Sequence, residues 1–580
     1  MPLNITSNNI NLSLSQSKWI RLDSGFLTSH VYPDSIDPII ARLLFVRNIH
    51  TEKEIEEFFL DDLSAVPPEN LIPDIELAAE IIIEYIKNKN KIRIFGDYDA
   101  DGITSTALMV RSLLALGANV DYFLPHRLKH GYGLNKDAIK IAKEEGIELI
   151  ITVDNGTSSF EEIDYANELG LKIVVTDHHE AQNTLPKAAA VVNPKRLDSS
   201  FPFRETAGVG VAFLLLRVIC QTLGYPSGIA AKFLDLVAIG TIADSSPLIG
   251  LNRILVKNGL KSLSENNKKV GIAALIRELK LSKEVNTVDV AFKIAPKINA
   301  AGRVDDPLNA LELLLTKDTA RAVELTKQLF TQNEERISLE QIVINDAVKI
   351  LEKGDNPPFT LLYADNWHLG VVGIAASRIS EKYFRPSAIL VKKEDGVCKG
   401  SLRTYGDFDL FKALDKNSDL LLSYGGHSKA AGLTIKEENI PKLHEQLNAL
   451  SDEFFKGQDP SHTVRIDTEI ELKKITLDFA KKLLNFEPYG MENEVPFFLI
   501  KNVKMKNITK RGCNNEHISM TVCAELGVEK GLHSIWFGAE EYFTEIRENE
   551  LYDIVCTISI NCWQNTESVQ LIVKDMAKKY

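Results

Sequence analysis

Residues 91 to 106 read KIRIFGDYDADGITST, and no other stretch of this chain limits its fold as much. Ile92, Ile94 and Phe95 form a short β-branched and aromatic run that ends at Gly96. Asp97, Asp99 and Asp101 follow at every second position, before Gly102 and a helix-like run from Ile103 to Leu116. A strand that ends in a cluster of acids and turns into a helix gains no stability from them. Like charges at close range repel, and their pKa values are strained unless a cation sits among them. The stretch therefore reads as half of a divalent-metal site.

The strand-then-helix unit recurs. Val120 to Leu124 is a predicted strand, followed by Pro125, His126 and Arg127. A helix is expected from Lys136 to Glu145, then an apolar strand from Glu148 to Val153 that runs into Asp154. A further helix from Phe160 to Leu169 and a strand from Lys172 to Thr176 lead to Asp177, His178 and His179. Short apolar strands alternating with helices imply βαβ units and a parallel sheet buried on both faces. Ligands of such sheets bind beyond the carboxyl ends of the strands, where these acids and imidazoles fall. Asp244, after the helical run Phe233 to Ile242, is a fourth candidate. Any one of these acids would serve equally well as a helix cap or turn residue. Four of them converging on one sheet edge favour a metal centre.

The rest of the 580 residues divides by pattern. Residues 1–60 form an N-terminal segment with two short helices and no visible chemistry, and 61–317 hold the α/β domain just described. Residues 318–354 read as one long, highly charged helix, or two in line, that is either a spacer between domains or an ordinary packed helix; its polarity favours the spacer. A smaller α/β domain follows over 355–455, with strands from Phe359 to Ala364 and Ser387 to Lys392. From 456 to 580, short strands at regular spacing suggest a small β-barrel of the OB kind.

Composition sets outer limits. The six cysteines include no Cys-x-x-Cys pair, which argues against a zinc ribbon or a disulfide framework. No apolar run approaches a membrane span, and the first residues lack a signal-peptide pattern, so a cytoplasmic protein with no membrane partner is expected. The net charge of −13 counts against a nucleic-acid partner on average, but says little about a local groove.

GDYDADG, VDNG, TDHH and an isolated Asp after a helix, in that order, resemble the motifs of the DHH phosphoesterase family. Trp367-His368-x-Gly370-Val371-Val372-Gly373, Gly400-Ser401-Leu402-Arg403 and Gly425-Gly426-His427-Ser428 resemble its companion DHHA1 domain. The resemblance implies a parallel-sheet DHH domain joined by a long helix to a DHHA1 domain, plus an OB-like barrel. It also implies an exonuclease that degrades single-stranded DNA 5′→3′ to mononucleotides, in repair and recombination. Two divalent cations, Mn²⁺ or Mg²⁺, would serve it, and a helicase and a single-strand-binding protein are candidate partners. Oxygen ligands with one imidazole suit these ions better than a thiolate-seeking metal.

By the same resemblance, Asp99 and Asp101 each face one ion, Asp154 bridges, His178 completes one site and Asp244 touches both. His179 would meet the scissile phosphate, because successive side chains of an extended chain diverge, and Asp177 would orient a histidine from behind. Asp97 either reaches an ion or fixes the loop. Phe95 stands where some relatives carry a metal-binding histidine. Arg127, Tyr132, Asn299 and Arg303 are expected on the substrate strand, and Ser401, Arg403 and His427 at its 5′ end. Trp536 or Trp563 would stack on bases in the barrel. Two other readings fit the motifs less well: a DHH phosphoesterase for short oligonucleotides, cyclic dinucleotides or pyrophosphate, and a non-catalytic single-strand-binding relative. Relatives of the first kind stop after the second domain, and a pure binder has no use for a repulsive carboxylate cluster.

Overall fold

Five parallel strands make the predicted sheet: β1 (Lys91–Phe95), β2 (Asn119–Phe123), β3 (Leu149–Val153), β4 (Lys172–Thr176) and β5 (Ala190–Val192). The computed structural model describes all residues except 1–12, 27–31, 34, 128–132, 266–268, 283, 355–356, 394, 457–462, 525–530, 565 and 580. The strand order is β2-β1-β3-β4-β5. It reverses between β1 and β3, the crevice where doubly wound sheets bind ligands.

Alternate residues of each strand serve opposite cores, as the two-residue period requires. Ile92, Ile94, Ile151 and Val153 pack on one face, under α1 (Ile75–Lys87), α2 (Ala100–Ala115) and α5 (Gly208–Thr222). Phe95, Ile150, Ile173 and Val175 pack on the other, against α3 (Lys136–Glu144) and α4 (Phe160–Glu168). Phe95 is thus core, stacked on Phe123 with ring centroids 5.2 Å apart. Helix α2 begins nearly a turn earlier than the apolar run predicts, and is buried without a break from Ala100 to Val110. It is the central helix of the domain. Helix α6 (Leu234–Ala243) packs beside it, and α7 (Ala295–Val304) and α8 (Leu308–Leu315) follow.

The long helix α9 (Thr319–Lys353) is a single element of 35 residues. It joins the two domains as expected and, unlike a free spacer, is packed at both ends. Ala322, Leu325 and Leu329 join the core of the first domain, while Val343, Ala347 and Leu351 pack on the second. Its charges occupy the outer face of an amphipathic helix. The second domain is a five-stranded mixed sheet of β6 (Thr360–Ala364), β7 (Ser387–Lys392), β8 (Val397–Arg403), β9 (Leu421–Gly426) and β10 (Ala430–Lys436), in the order β9-β10-β8-β7-β6. Helix α10 (Val372–Tyr383) covers it beside β8.

Residues 61–460 form one compact unit, and 461–580 form a second together with residues 1–60. The second is a closed barrel: β11 (Phe498–Arg511), β12 (His517–Ala524), β13 (Leu532–Trp536), β14 (Leu551–Trp563) and β15 (Thr566–Lys578) follow the order β11-β12-β13-β15-β14, and β14 returns to β11. The sequence pattern predicts shorter strands, Phe497 to Val503, Ser519 to Ala524, Asp553 to Ile560 and Gln570 to Val573, and not β13, because the outer halves of the strands face water and carry no apolar run. A strand at Lys18–Arg21 pairs in parallel with Thr463–Ile466. Ile39, Ile40, Leu43 and Leu44 of the N-terminal helix Pro38–Val46 enter the barrel core with Phe486 and Phe498. Trp536, expected to stack on bases, is 5% exposed and stacked on Tyr542, so it is a core residue. Trp563 is 71% exposed. No helix among the described residues is long and apolar enough to cross a membrane.

Candidate active site

The loop after β1 folds back on the start of α2 so tightly that a Cβ at Gly102 would lie 2.6 Å from the Asp97 backbone nitrogen. Asp99 caps α2: its Oδ1 accepts from the N–H groups of Asp101 and Gly102, both at 3.0 Å. One carboxylate oxygen thereby starts the helix, which leaves the other for the site. The two oxygens of Asp101 accept from Gly208 N (2.8 Å) and Val209 N (2.9 Å), the first amides of α5. The positive end of that helix favours the carboxylate there.

Asp154 follows β3 with φ +62°, a left-handed conformation that Asp tolerates better than most residues. Its Oδ1 lies 3.0 Å from His178 Nε2 but has no aligned hydrogen bond, and Asp97 Oδ1 is likewise buried without a partner. Asp244, the last cap of α6, is exposed, and its Oδ2 accepts from Ser246 Oγ at 2.5 Å. Three sets of side chains each bring ligand atoms within 4.8 Å of one another: Asp97, Asp99 and Asp154; Asp101, His178 and Asp244; and Asp154, His178 and His179. The structure thus gathers all the acids expected at the site, and draws Asp97 in with them.

Asp177 turns the chain at the end of β4. Its Oδ1 accepts from His178 N (2.7 Å) and His179 N (3.2 Å) and pairs with His179 Nδ1 at 2.7 Å, while Oδ2 accepts from Thr157 N at 2.9 Å. The histidine it orients is therefore His179. The two rings do not diverge as extended backbone would send them. Their centroids are 4.6 Å apart, because the Asp177 turn replaces the strand.

The electrostatics of the site favour a bound cation. Burial first, and repulsion among the acids second, raise the pKa values of Asp97, Asp101 and Asp154, and burial raises that of Asp99. Burial lowers that of His178, keeping its imidazole neutral and able to ligate. Unpartnered buried oxygens, oxygen-rich donor sets and a neutral imidazole together fit divalent cations of the Mn²⁺ or Mg²⁺ kind.

Two glycines missed in the sequence make room for the acids. A Cβ at Gly208 would lie 2.7 Å from Asp154 Oδ1 and 3.0 Å from Asp101 Oδ2; one at Gly240 would lie 2.3 Å from Thr104 Oγ1. The small-residue run AGVGVA was the available signal for Gly208; Gly240, in the apolar run FLDLVAIGTI, had none. Gly208→Ala is expected to cost about 1–3 kcal/mol of stability and, by displacing both carboxylates, to cut activity about a hundredfold. Thermal melting and initial rates measure the two effects.

A group of cations comes from other elements. Arg127 lies 5.4 Å over the ring of Tyr98, whose hydroxyl burial and Asp97 push up to about 12. Burial and the charge of Arg127 bring Arg303 down to about 10, and lower Arg403 and His368 by the same means, although Glu335 opposes this at His368. Arg303 Nη1 donates to Gly370 O at 3.4 Å. Ser401 and Arg403 lie over the first turn of α10, where a Cβ at Gly373 would be 3.4 Å and 3.1 Å from them. Asn299 Oδ1 is taken, accepting from Ala100 N at 2.8 Å, so only its amide nitrogen could meet a phosphate. His427 is exposed at the turn between β9 and β10, and its N–H donates to Ala430 O. Ala430 is the register partner of Arg403. Tyr132 lies outside the described residues. Sequence reasoning gave no role to Tyr98 or His368, although both sit inside its motifs.

Comparison with known proteins matches this geometry to a family. Residues 91–241 match the DHH family, N-terminal domain, 356–453 the DHHA1 domain and 466–575 the RecJ OB domain. The chain is 36% identical over 549 residues to the single-stranded-DNA-specific exonuclease RecJ of Bacillus subtilis, covering 93% of this chain and 68% of that protein. It is 32% identical over 564 residues to RecJ of Escherichia coli, covering 94% and 96%. This chain belongs to the RecJ family. The crystal structure of RecJ from Thermus thermophilus in complex with Mn²⁺ superposes with a TM-score of 0.79 at 29% identity, covering 97% of this chain and 80% of that one. A second structure of that RecJ holds Mg²⁺. The parallel-sheet DHH domain, the DHHA1 domain and the OB barrel expected from the sequence are all present.

Proposed function

We propose that this RecJ-family chain is a metal-dependent exonuclease that hydrolyses single-stranded DNA 5′→3′ to mononucleotides. The observation that carries the reading is the meeting of Asp97, Asp99, Asp101, Asp154, Asp244 and His178 at the β1–β3 switch point, in ligand sets within 4.8 Å. Two divalent cations, when bound, would supply an activated water and neutralise charge on the phosphoryl group. Asp99 and Asp101 would each hold one, Asp154 would lie between them, and His178 and Asp244 would complete the shell, with Asp97 beside Asp99. Asp177 fixes Nδ1 of His179, which leaves Nε2 for a phosphoryl oxygen. Arg127 and Arg303, with the Asn299 amide, would grip the strand.

Polarity would come from the second domain. Ser401, Arg403 and His427 holding a 5′-terminal phosphate would leave the first internal phosphodiester at the acids. Arg403→Gln is then expected to reduce the preference for 5′-phosphorylated over 5′-hydroxyl strands about tenfold or more, the range of a lost charge-assisted bidentate contact. Competition between the two strand types measures it. The barrel, with Trp563 exposed, suits a long strand more than a dinucleotide. A cytoplasmic location, a role in repair and recombination, and a helicase and single-strand-binding protein as partners belong to the same reading.

Digestion of 5′- and 3′-labelled single strands with Mn²⁺, Mg²⁺ or chelator tests it. Mononucleotide release from the 5′ end, abolished by chelator, is expected. Release from the 3′ end, or activity in chelator, would overturn it.

A further inference from the structure

Helix α2 has the acids at its first turn and a cavity at its last. Arg111 follows Asp101 by ten residues, about 15 Å along a helix, so the cavity is separate from the metal-ligand cluster. It encloses about 750 Å³ beside the edge strand β2, within the usual size range of small-molecule sites. Five cations line it: Arg111, Lys232, Lys269, Lys317 and Arg321. The only lining acid among the described residues is Glu312.

Ion pairing does not consume this charge. Arg321 pairs with Glu312 at 2.6 Å and Glu324 at 2.9 Å, and Lys269 Nζ with Asp235 at 2.5 Å. Among the described ion pairs, the five cations meet three acids. Lys232 and Lys317 make no ion pair among the described residues, in a chain whose net charge is −13. Burial lowers the pKa values of Arg111 and Lys269, so their charged forms are held at a cost that an anion would relieve.

The remaining lining is apolar and aromatic. Tyr122 and Phe233 line the cavity with Val120 and with Leu114, which is 53% exposed; Lys269 Nζ already lies 5.5 Å over the Phe233 ring, which leaves Tyr122 for a base. Cations suit a phosphate, and aromatic faces suit a base, which stacks whatever its identity.

We propose that this cavity is a second, non-catalytic site that binds a free nucleoside monophosphate. The inference goes beyond the proposed reaction and does not depend on it. It is tested on the full-length protein in chelator, where the proposed reaction does not run and the oligonucleotide stays intact, by calorimetric titration with dAMP, inorganic phosphate and a (dA)₄ oligonucleotide. A dAMP-binding component is expected that Arg403→Gln leaves intact and that the double variant Lys232→Glu, Lys317→Glu weakens by about tenfold or more. Tyr122→Leu, which removes a stacking ring without changing the charge, is expected to weaken the same component by about fivefold or more. Hydrolysis of single strands at low nucleotide concentration should be unchanged in both. Melting curves establish that each variant is folded; if the charge reversal is not, Tyr122→Leu decides. The proposal is overturned if dAMP shows no such component, if both cavity variants bind it like wild type, if phosphate alone binds as tightly, or if (dA)₄ is preferred, since the site would then belong to a strand.

Discussion

Asp154→Asn is expected to lower single-strand hydrolysis by about 10³-fold, the equivalent of several kcal/mol of lost charge stabilisation, and at the same time to make the metal-free protein more stable. The substitution isolates charge, since Asn keeps the shape and also tolerates the φ of +62° at this position. The Asp154 carboxylate is strained by burial and then by Asp101, Asp99, Asp97 and Asp244. A neutral amide removes that strain, worth on the order of 1–2 kcal/mol in a site that relaxes by taking up protons. In chelator the variant should melt a few degrees higher than wild type. Added Mn²⁺ should raise its melting temperature less than that of wild type, because stabilisation by a ligand follows its affinity. Undiminished hydrolysis would remove Asp154 from the centre. A lower melting temperature in chelator would show that the acids are held by the fold without strain.

Where the chain is cut should decide whether its parts fold. Removing residues 461–580 alone leaves Ile39, Ile40, Leu43 and Leu44 without Phe486 and Phe498, and a chain of residues 1–460 is expected to aggregate. A chain of residues 61–460 corresponds to one compact unit and should fold and hydrolyse short oligonucleotides. Its affinity for long single strands should fall by at least about fivefold for each stacked base lost with the barrel. Gel filtration and hydrolysis of dinucleotides against 40-mers measure the two effects. Equal loss on both substrates would mean that the barrel acts through folding and not through the strand.

The legible parts of the molecule are those governed by short-range pattern. Apolar runs such as Glu148–Val153 betray buried parallel strands, and acids at their ends betray the ligand edge, so the first sheet and its carboxylates could be read in order. Asp244, which follows a helix and no strand, could be singled out by position, but its role came only from the resemblance. What could not be read depends on long-range packing. That Asp99 spends one oxygen on a helix cap, that Asp177 serves His179, and that Gly208 clears space for two carboxylates are facts about neighbours distant in sequence. Trp536 and Trp563 look alike as letters, yet one is core and the other projects into solvent. The union of residues 1–60 with the barrel rests on contacts such as Arg47 with Asp467, 420 positions apart, which no local period could announce.

That union sets a schedule for biosynthesis. The strand Lys18–Arg21 waits for Thr463–Ile466, and the apolar face of Pro38–Val46 waits for residues made later still. At about 5–20 residues per second, the roughly 400 residues between them occupy the ribosome for about 20–80 s. The large unit can complete its core during that interval, while the first segment emerges with an apolar helix face and an unpaired strand and no partner yet translated. Slowing translation between residues 60 and 460 would therefore lengthen the exposure of this one segment, and a trigger-type chaperone that covers short apolar helices would act on its first 60 residues before any other part of the chain.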